Sequence, residues 1–323
     1  MGAFGRNHAR AYHQLAKEGH PVRLAGVVDR DTARANAVGK EFSCPAFPSL
    51  EQLLAEHSDI QAASVAVPTV DHLCAARELM QAGIDVLIEK PLATSLAEAD
   101  ELVQLAGKLG RIVQAGHLER FNPAVRATLP LITQPMFFEV HRLSVFTPRS
   151  LDVDVVLDLM IHDLDIVLSF VNSPVKEIRA VGLPILSPKV DIANIRIEFE
   201  SGCVANFTAS RVSTERVRKL RFFQPGQYIS LDYGRQDVLV FTVEDHSSET
   251  ATTNSHIGVH KPPVNAEEPL RAELKSFIES VRTRSTPLVT VDDGRRALGL
   301  ALEINKAVAE HHKKAKLDQL LRA

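Results

Sequence analysis

The chain has 323 residues, 45% of them hydrophobic and 24% charged, which is enough for two domains with separate cores. Its net charge of −3 gives no electrostatic reason to expect a nucleic-acid or membrane-surface partner. The three cysteines are isolated and no secretory leader opens the sequence, so we expect a cytoplasmic protein without a disulfide framework. The longest apolar stretch, residues 153–171, is interrupted by four aspartates and a histidine and is not expected to span a membrane.

Short apolar strands alternate with helices up to about residue 120. The predicted strands are residues 22–28, 62–67, 86–88 and 112–115. Helices are predicted to begin near Asp31-Thr32, after Pro68 and at Thr94 or Ser95, where Glu98 completes a capping box. This alternation is typical of a doubly wound parallel sheet with helices on both faces, so residues 1–120 are predicted to form a Rossmann-type domain.

The pattern changes after residue 121. An apolar helix over residues 151–170 is followed by predicted strands at 175–181, 192–199, 203–210, 217–223, 228–232 and 238–242. A Ser/Thr-rich loop (247–255) and two helices (269–284 and 294–313) close the chain. Successive strands without intervening helices predict a large, mostly antiparallel sheet with one open face, hence a second, α+β domain over residues 121–323. The alternative for its two C-terminal helices is that they pack back on the Rossmann domain.

The first residues match the back half of a dinucleotide-binding loop. Gly2-Ala3-Phe4-Gly5 fits the last two glycines of G-x-G-x-x-G, although any helix that opens with a glycine pair would look the same. Asp29, at the end of the next strand, stands where an acid binds the adenosine ribose and favours NAD, while Arg30 leaves NADP open. The central strand that precedes this loop in such a sheet is missing, so we expect the natural polypeptide to begin upstream with an apolar strand.

The segment 85–92 is a buried strand that runs into Glu89-Lys90-Pro91. Pro91 lacks an N–H and ends the strand, which leaves Glu89 and Lys90 at the carboxyl end of a sheet strand, where open α/β sheets bind ligands. A lysine there can bind a substrate hydroxyl or help to move its proton. The alternative is a solvated Glu–Lys pair that closes an ordinary strand.

A second candidate group lies in the apolar helix. Asp158 and His162 are four residues apart and share a helix face, an arrangement in which a carboxylate can orient an imidazole that acts as a general base. One alternative is a histidine that packs in the core and is anchored by Asp158. Another is a metal site of Asp154, Asp158 and His162, which no zinc-type spacing supports.

Taken together, these motifs resemble the glucose–fructose oxidoreductase/inositol dehydrogenase/MocA family. The resemblance rests on Gly2-x-x-Gly5, Pro68 with His72, Glu89-Lys90-Pro91-Leu92, Asp158-x-x-x-His162 and the ending that begins at Glu268-Pro269-Leu270. It implies a Rossmann domain, a second domain whose open sheet commonly forms a homodimer or homotetramer interface, and hydride transfer between NAD(P) and a sugar or cyclitol carbinol carbon.

The resemblance also implies roles for individual residues. Lys90 and His162 would act at the reacting hydroxyl, with Asp158 supporting the histidine or holding a neighbouring hydroxyl. The adenylate half of the cofactor would be held by Gly2, Ala3, Phe4, Gly5, Asp29 and Arg30, and its nicotinamide side would be lined by Pro68, His72, Glu89 and Lys90. Members often have glycines before the aspartate of Asp-x-x-x-His, whereas this chain has Asp152-Val153-Asp154-Val155 there.

Residues 117–123 and 158–163 resemble members that oxidise the 3-hydroxyl of UDP-N-acetylglucosamine. Arg120, Asn122 and Arg149 would then contact the nucleotide-sugar or its phosphates, since guanidinium groups suit phosphate. Each arginine has a simple alternative as a solvated surface charge. Three other functions stay open: a dehydrogenase of inositol or a free aldose, a catalytically silent NAD-binding regulator, and a metal-dependent hydrolase.

Overall fold

The computed structural model describes residues 1–147, 153–244 and 256–316. The helices are α1 (Ala3–Lys17), α2 (Thr32–Phe42), α3 (Leu50–Glu56), α4 (His72–Gln81), α5 (Leu96–Leu109), α6 (Pro123–Thr128), α7 (Ile161–Phe170), α8 (Pro269–Thr283) and α9 (Val291–Lys314). A π-helix, Val156–Met160, directly precedes α7. The strands are β1 (Val27–Val28), β2 (Ala46–Phe47), β3 (Ala62–Val65), β4 (Asp85–Glu89), β5 (Val113–Gly116), β6 (Phe137–Val145), β7 (Val175–Leu183), β8 (Ile192–Phe199), β9 (Val204–Ser213), β10 (Val217–Gln224), β11 (Gln227–Asp232), β12 (Asp237–Glu244) and β13 (His256–His260).

The chain divides into two compact units. The first unit is Met1–Phe121 with Glu267–Leu298, and the second is Asn122–Ala266 with Gly299–Ala323. The sequence assigns residues 121–323 to the second domain and leaves open that its C-terminal helices pack on the first, and the structure groups residues 267–298 with the first unit. No described helix is both long enough and apolar enough to cross a membrane.

Helix α8 belongs to the first unit because its apolar face is buried there. Leu270, Leu274 and Phe277 form one core cluster with Leu15 of α1 and Leu87 of β4. Their positions follow the spacing of one helix face, which is typical of a helix that covers a core. A segment distant in sequence is therefore part of the first hydrophobic core.

The strands of the first unit are parallel, as predicted. Strand β1 pairs with β2, and β4 lies between β3 and β5 with all five of its residues buried. The predicted strand 22–28 is paired only over Val27–Val28, and the predicted strand 62–67 ends at Val65. Asp31 and Ser95 cap α2 and α5 by accepting hydrogen bonds from Arg34 N and Glu98 N. These features confirm the α/β class expected for this half of the chain.

The second unit contains one eight-stranded sheet in the order β13-β12-β11-β10-β6-β9-β8-β7. Among the described strands of this sheet only the β6–β9 pair is parallel, so the sheet is mostly antiparallel, as predicted. Helix α7 covers one face, where the ring centroid of Phe170 lies 6.4 Å from that of Phe138 and 5.9 Å from that of Phe222. The helix predicted over residues 151–170 begins in the structure as the π-helix. Residues 151 and 152, and the predicted loop 247–255, lie outside the described residues.

Candidate active site

The amino end of α1 presents backbone rather than bulky side chains. A Cβ atom at Gly2 would have no neighbour within 4 Å, so this backbone is open to close approach. At the buried Gly5, a Cβ atom would lie 3.4 Å from Met1 Sδ and 4.0 Å from Ala66 Cβ. The first N–H groups of an α-helix have no partner within the helix, and together with the helix dipole they favour an anion such as a pyrophosphate. The predicted loop Gly2-Ala3-Phe4-Gly5 therefore has a geometry that fits a dinucleotide.

Asp29 directly follows β1 and is half-buried. Its Oδ1 accepts a hydrogen bond of 2.8 Å from Asp31 N, and its other carboxylate oxygen contacts the amino group of Met1. Burial lowers the pKa of that amino group, and the charge of Arg34 lowers it further. Arg30, by contrast, extends into solvent with only a 3.5 Å contact to Asp71. Asp29 thus lies at the carboxyl end of β1, where a ribose-binding acid is expected.

Lys90 leaves the end of the central strand β4. The strand's last residue, Glu89, is buried and accepts a hydrogen bond at Oε1 from His8 Nε2 of α1 over 2.9 Å. Its Oε2 accepts a hydrogen bond from Lys90 N over 3.3 Å. Gly116 of β5 faces Glu89, and a Cβ atom there would lie only 2.9 Å from Glu89 Cα. Because Glu89 is packed and bonded in this way, the backbone that carries Lys90 has a defined position.

A second buried carboxyl lies near Glu89. Glu273 of α8 is fully buried, and within the described residues neither of its oxygens has a hydrogen-bond partner. Burial raises the pKa of Glu273 well above its ordinary value, and the charge of Glu89 raises it further. Burial and the neighbouring charge therefore both favour the protonated form of Glu273.

His72 connects the ends of two neighbouring strands. Its Nε2 lies 3.0 Å from the carbonyl oxygen of Val67, after β3, and its Nδ1 lies 3.0 Å from that of Pro91, after β4. The ring is 1% exposed, and burial lowers its pKa. Burial therefore favours the neutral imidazole, whose single N–H donates to one of these two carbonyl oxygens. Pro68 is exposed beside it.

Arg120 and Asn122, predicted to bind substrate, have different surroundings. Arg120 lies in the first unit, where its Nη2 is 3.7 Å from Asp293 Oδ2. Asn122 begins the second unit and caps α6: its Oδ1 accepts from Ala124 N, and its Nδ2 donates to the carbonyl oxygen of Tyr233 over 3.0 Å. The Asn122 side chain is 2% exposed, which favours a structural role. Arg149 lies outside the described residues.

Asp158 and His162 lie across the junction between the π-helix and α7. Asp158 is on the wider π turn and is half-buried, whereas His162 is on the first turn of α7 and is 9% exposed. Single π turns inside helices occur often at functional sites. The predicted pair therefore lies on one continuous helical segment of the second unit, with an irregular turn that sequence periodicity does not reveal.

Hydrogen bonds from polar side chains fix the start of this helical segment. Asp154 Oδ1 accepts from the N–H groups of Val156 and Leu157 over 2.9 and 3.0 Å, and its Oδ2 accepts from Asn305 Nδ2 over 3.0 Å. Arg211 donates to the carbonyl oxygen of Val153. With its oxygens engaged in this way, Asp154 acts as a helix cap. No group of three or more His, Cys, Asp or Glu residues in the described ranges is placed to hold a metal ion.

Asp191 anchors Arg211 in turn. Its Oδ1 lies 3.3 Å from Arg211 Nε, and its Oδ2 accepts three backbone hydrogen bonds, from Ile185, Leu186 and Ser187, over 2.6 to 2.8 Å. Burial would raise the pKa of Asp191, but the hydrogen bonds from Ser187 and its neighbours outweigh burial and hold the pKa below its ordinary value. The Asp191–Arg211 pair was not predicted from the sequence.

A second buried ion pair lies next to His162. Asp163 accepts two hydrogen bonds from Arg142 of β6, at 2.6 Å from Nε and 2.9 Å from Nη2. Both side chains are almost fully buried, and the guanidinium carbon lies 5.2 Å from the centre of the Tyr233 ring. Two parallel charge-assisted bonds of this kind define orientation as well as energy. Arg142 therefore fixes the helix residue that follows the candidate base.

The first unit brings its predicted cofactor residues to one edge of its strands. Helix α1 reaches the end of β1 through the Met1–Asp29 contact, the end of β3 through Gly5 and the end of β4 through His8. Asp158 and His162 belong to the second unit. His8 was missed because a lone histidine on the buried face of a helix is usually a core residue. The signal in the sequence was that His8 lies three residues after Gly5 and next to Ala9, so that all three share the buried face of α1.

Two family models match the chain. Residues 1–117 match the oxidoreductase family with an NAD-binding Rossmann fold, and residues 97–224 match the GFO/IDH/MocA C-terminal domain. These matches cover both the loop at the start of α1 and the Asp158–His162 segment.

Curated relatives and solved structures match nearly the whole chain. UDP-N-acetylglucosamine 3-dehydrogenase of Acidithiobacillus ferrooxidans is 35% identical over 311 residues, which is 95% of each chain. A solved structure of that enzyme matches with a TM-score of 0.85 and 34% identity, again over 95% of each chain. The scyllo-inositol 2-dehydrogenase (NAD⁺) of Bacillus subtilis is 24% identical over 310 residues, covering 90% of this chain and 86% of the relative. The chain therefore belongs to the GFO/IDH/MocA family of NAD-binding oxidoreductases.

Proposed function

We propose that the protein is an NAD-dependent dehydrogenase that oxidises the 3-hydroxyl of UDP-N-acetylglucosamine. The structural observation that carries the proposal is Lys90, which leaves the buried central strand at the edge where α1 begins. Full-length similarity to the dehydrogenase of Acidithiobacillus ferrooxidans supports the choice of substrate. NAD is favoured over NADP because Asp29 would repel a 2′-phosphate, while the exposed Arg30 keeps NADP as the alternative cofactor.

The residues of the first unit fit the cofactor. The groups that would hold the cofactor are the open backbone at Gly2, the N–H groups of the first turn of α1 and the carboxylate of Asp29. When bound, NAD accepts the hydride from the carbinol carbon. The Glu89–His8 hydrogen bond fixes the end of β4, and His72 lies between the loops that follow β3 and β4, so the backbone around Lys90 has defined contacts.

Lys90 and His162 are the groups we propose for the proton. The Lys90 ammonium would donate a hydrogen bond to the reacting hydroxyl, and His162 Nε2 or Nδ1 would take its proton as the hydride leaves. Asp158 would orient the imidazole, while Arg142 fixes the adjacent Asp163. Arg120 would pair with a diphosphate oxygen.

A panel of substrates tests the proposal. Purified protein is incubated with NAD or NADP and with UDP-N-acetylglucosamine, scyllo-inositol, myo-inositol or glucose, and NADH or NADPH formation is followed by absorbance. We expect kcat/KM for UDP-N-acetylglucosamine with NAD to exceed the others at least about tenfold, a difference of about 1.4 kcal/mol in transition-state binding. Mass spectrometry of the product should show the loss of two hydrogens. A preference for an inositol would instead support the alternative suggested by the Bacillus subtilis relative.

A regulatory protein without catalytic activity is the alternative of another class. It would bind NAD but turn over no member of the panel. Activity that is lost on chelation would point instead to a metal-dependent reaction.

The open face of the eight-stranded sheet supports a proposed homodimer or homotetramer. A row of aromatic rings crosses it, with centroids 5.7 Å apart for Phe137 and Phe223, 4.8 Å for Phe223 and Tyr228, and 5.0 Å for Tyr228 and Phe241. Exposed apolar patches of this kind often mark protein–protein contacts. Light scattering would measure the mass of the assembly.

A cytoplasmic location stays a prediction from the sequence.

A further inference from the structure

The turn that carries Asp158 differs from a regular α-helical turn in its hydrogen bonds. The N–H of Ile161 donates to the carbonyl oxygen of Val156, five residues earlier. The N–H of Asp158, by contrast, donates over 3.0 Å to the carbonyl oxygen of Asp154, four residues earlier. A turn closed over five residues is wider than an α-helical turn. The hydrogen bonds of this turn therefore set the angle around the helix axis between Asp158 and His162.

The carboxylate of Asp154 determines where this turn begins. Its Oδ1 caps the N–H groups of Val156 and Leu157, which are the first two residues of the π-helix. Val156 is fully buried, and it is also the residue whose carbonyl oxygen accepts the five-residue hydrogen bond. Because one residue is capped at its N–H and closes the π turn at its carbonyl, a displacement of the Asp154 carboxylate would displace the turn.

Asn305 of α9 fixes the orientation of that carboxylate. Its Nδ2 donates to Asp154 Oδ2 over 3.0 Å, which leaves Oδ1 directed at the backbone of the π-helix. Hydrogen bonds to a carboxylate are stronger than those between neutral groups, and they gain strength away from bulk water. Both side chains are half-buried. Asn305 thus binds one oxygen of Asp154 while the start of the π-helix binds the other.

The packing of α9 gives Asn305 a defined position. Val308 and His312 follow Asn305 at helical spacing and contact β7 at Gly182. A Cβ atom at Gly182 would lie 3.0 Å from Val308 Cγ1 and 2.7 Å from Val190 Cγ1, so a larger residue would push the helix away. The carbonyl oxygen of Gly182 also contacts His312 Nε2. Glycine at position 182 therefore allows α9 to approach closely enough for Asn305 to reach Asp154.

Arg211 provides a second contact just before the cap. Its Nη2 donates to the carbonyl oxygens of Val153 and Val190, and the latter also accepts from Val155 N over 2.9 Å. Arg211 is itself held by the fully buried Asp191. The backbone on either side of Asp154 is therefore fixed, and the Asn305 hydrogen bond orients the side chain between these two points.

We propose that Asn305 is a positioning residue for the dehydrogenase reaction, which through Asp154 sets the π turn and the orientation of Asp158 toward His162. This role rests on the proposed function, in which His162 takes the proton of the reacting hydroxyl. A displacement of about 1 Å in a catalytic group can cost about a hundredfold in rate. Loss of the Asn305 hydrogen bond is therefore expected to lower kcat, although Asn305 acts only through Asp154.

An exchange of the two partners tests the proposal. Asn305→Asp places a second carboxylate against Asp154, and the two groups repel each other. The double variant Asp154→Asn/Asn305→Asp restores the hydrogen bond with donor and acceptor reversed, since asparagine also caps helices well. Lys306→Gln, at the exposed neighbouring position, is the matched control because it changes the net charge by the same one unit. For the parent and the three variants we would measure kcat with the best substrate of the panel, the Kd for NAD and the thermal midpoint.

We expect Asn305→Asp to lower kcat at least about tenfold, with a Kd for NAD within about twofold of the parent. The double variant should recover kcat to within about threefold of the parent, and Lys306→Gln should match it. A lower thermal midpoint for Asn305→Asp with an unchanged kcat would show that Asn305 only stabilises the fold, and would overturn the proposal. A double variant as slow as Asn305→Asp would overturn it as well.

Amide hydrogen exchange tests the same link without a substrate, and it applies also if Asn305→Asp does not fold. Asn305→Ala removes the donor without adding a charge. We expect exchange at least about fivefold faster over residues 156–161 and unchanged over residues 164–170. Equal exchange over residues 156–161 in variant and parent would contradict the proposal. If the parent oxidises no member of the panel while this difference is found, the proposed function fails and the control of the π turn by Asn305 is retained.

Discussion

The two units hold their candidate catalytic residues by different means. In the first unit, Lys90 follows a parallel strand, and backbone pairing with β3 and β5 sets its position. In the second unit, His162 lies on a helix that packs across a continuous sheet, and buried charged side chains set its position. The first arrangement depends on complete ladders, and the second on ion pairs. Chemistry and stability should therefore respond differently to substitutions in the two units.

Lys90→Met is expected to have the largest effect. We expect kcat to fall about a thousandfold, about 4 kcal/mol of barrier, because the variant can neither bind nor help to deprotonate the hydroxyl. The Kd for NAD should change less than about twofold, since the ladder of β4 is unchanged. Steady-state kinetics and calorimetry measure both quantities. Lys108→Met, on the exposed surface of α5, is the matched control, and a Lys90→Met enzyme within about tenfold of the parent would show that Lys90 is not catalytic.

Arg142→Leu should lower the stability of the second unit. It leaves Asp163 buried without its cation, which typically costs about 3 kcal/mol in the free energy of unfolding. Denaturant unfolding measures the loss, and the double variant Arg142→Leu/Asp163→Leu should recover most of it. Lys176→Met, which breaks an exposed pair with Glu198, should leave stability unchanged. Equal losses in the single and double variants would mean that the ion pair is not what holds this part of α7.

Asp191→Asn should have a smaller, pH-dependent effect. The folded pKa of Asp191 lies below its ordinary value of 3.8, so its ionised form stabilises the fold above that pH, and the contribution is lost as the pH falls through the folded pKa. We expect the variant to be less stable by about 1–2 kcal/mol at pH 7. The difference should shrink below about pH 4, as followed by urea unfolding across pH. A difference that is constant from pH 7 to pH 3 would contradict the ionised, hydrogen-bonded role of Asp191.

Sequence patterns predicted most of the sheet strands but missed the short strands β2 and β13, and they also missed β6. Its apolar alternation is broken by Arg142, which takes an inward position and is neutralised there by Asp163. A charged residue in a strand is predicted to face solvent unless its buried partner is known. The partner of Arg142 is distant in sequence, so the local pattern does not reveal it. The same limit applies to His8, whose partner Glu89 lies on another element.

The sequence alone determined the parallel α/β half, the antiparallel second sheet, the family and the position of Lys90 after β4. These depend on local order: apolar runs, turn residues and a proline that ends a strand. Tertiary structure alone decided that α8 joins the first core and that Asp163 pairs with Arg142 inside the second unit. Each of these depends on contacts between residues distant in sequence, for which the local pattern contains no signal.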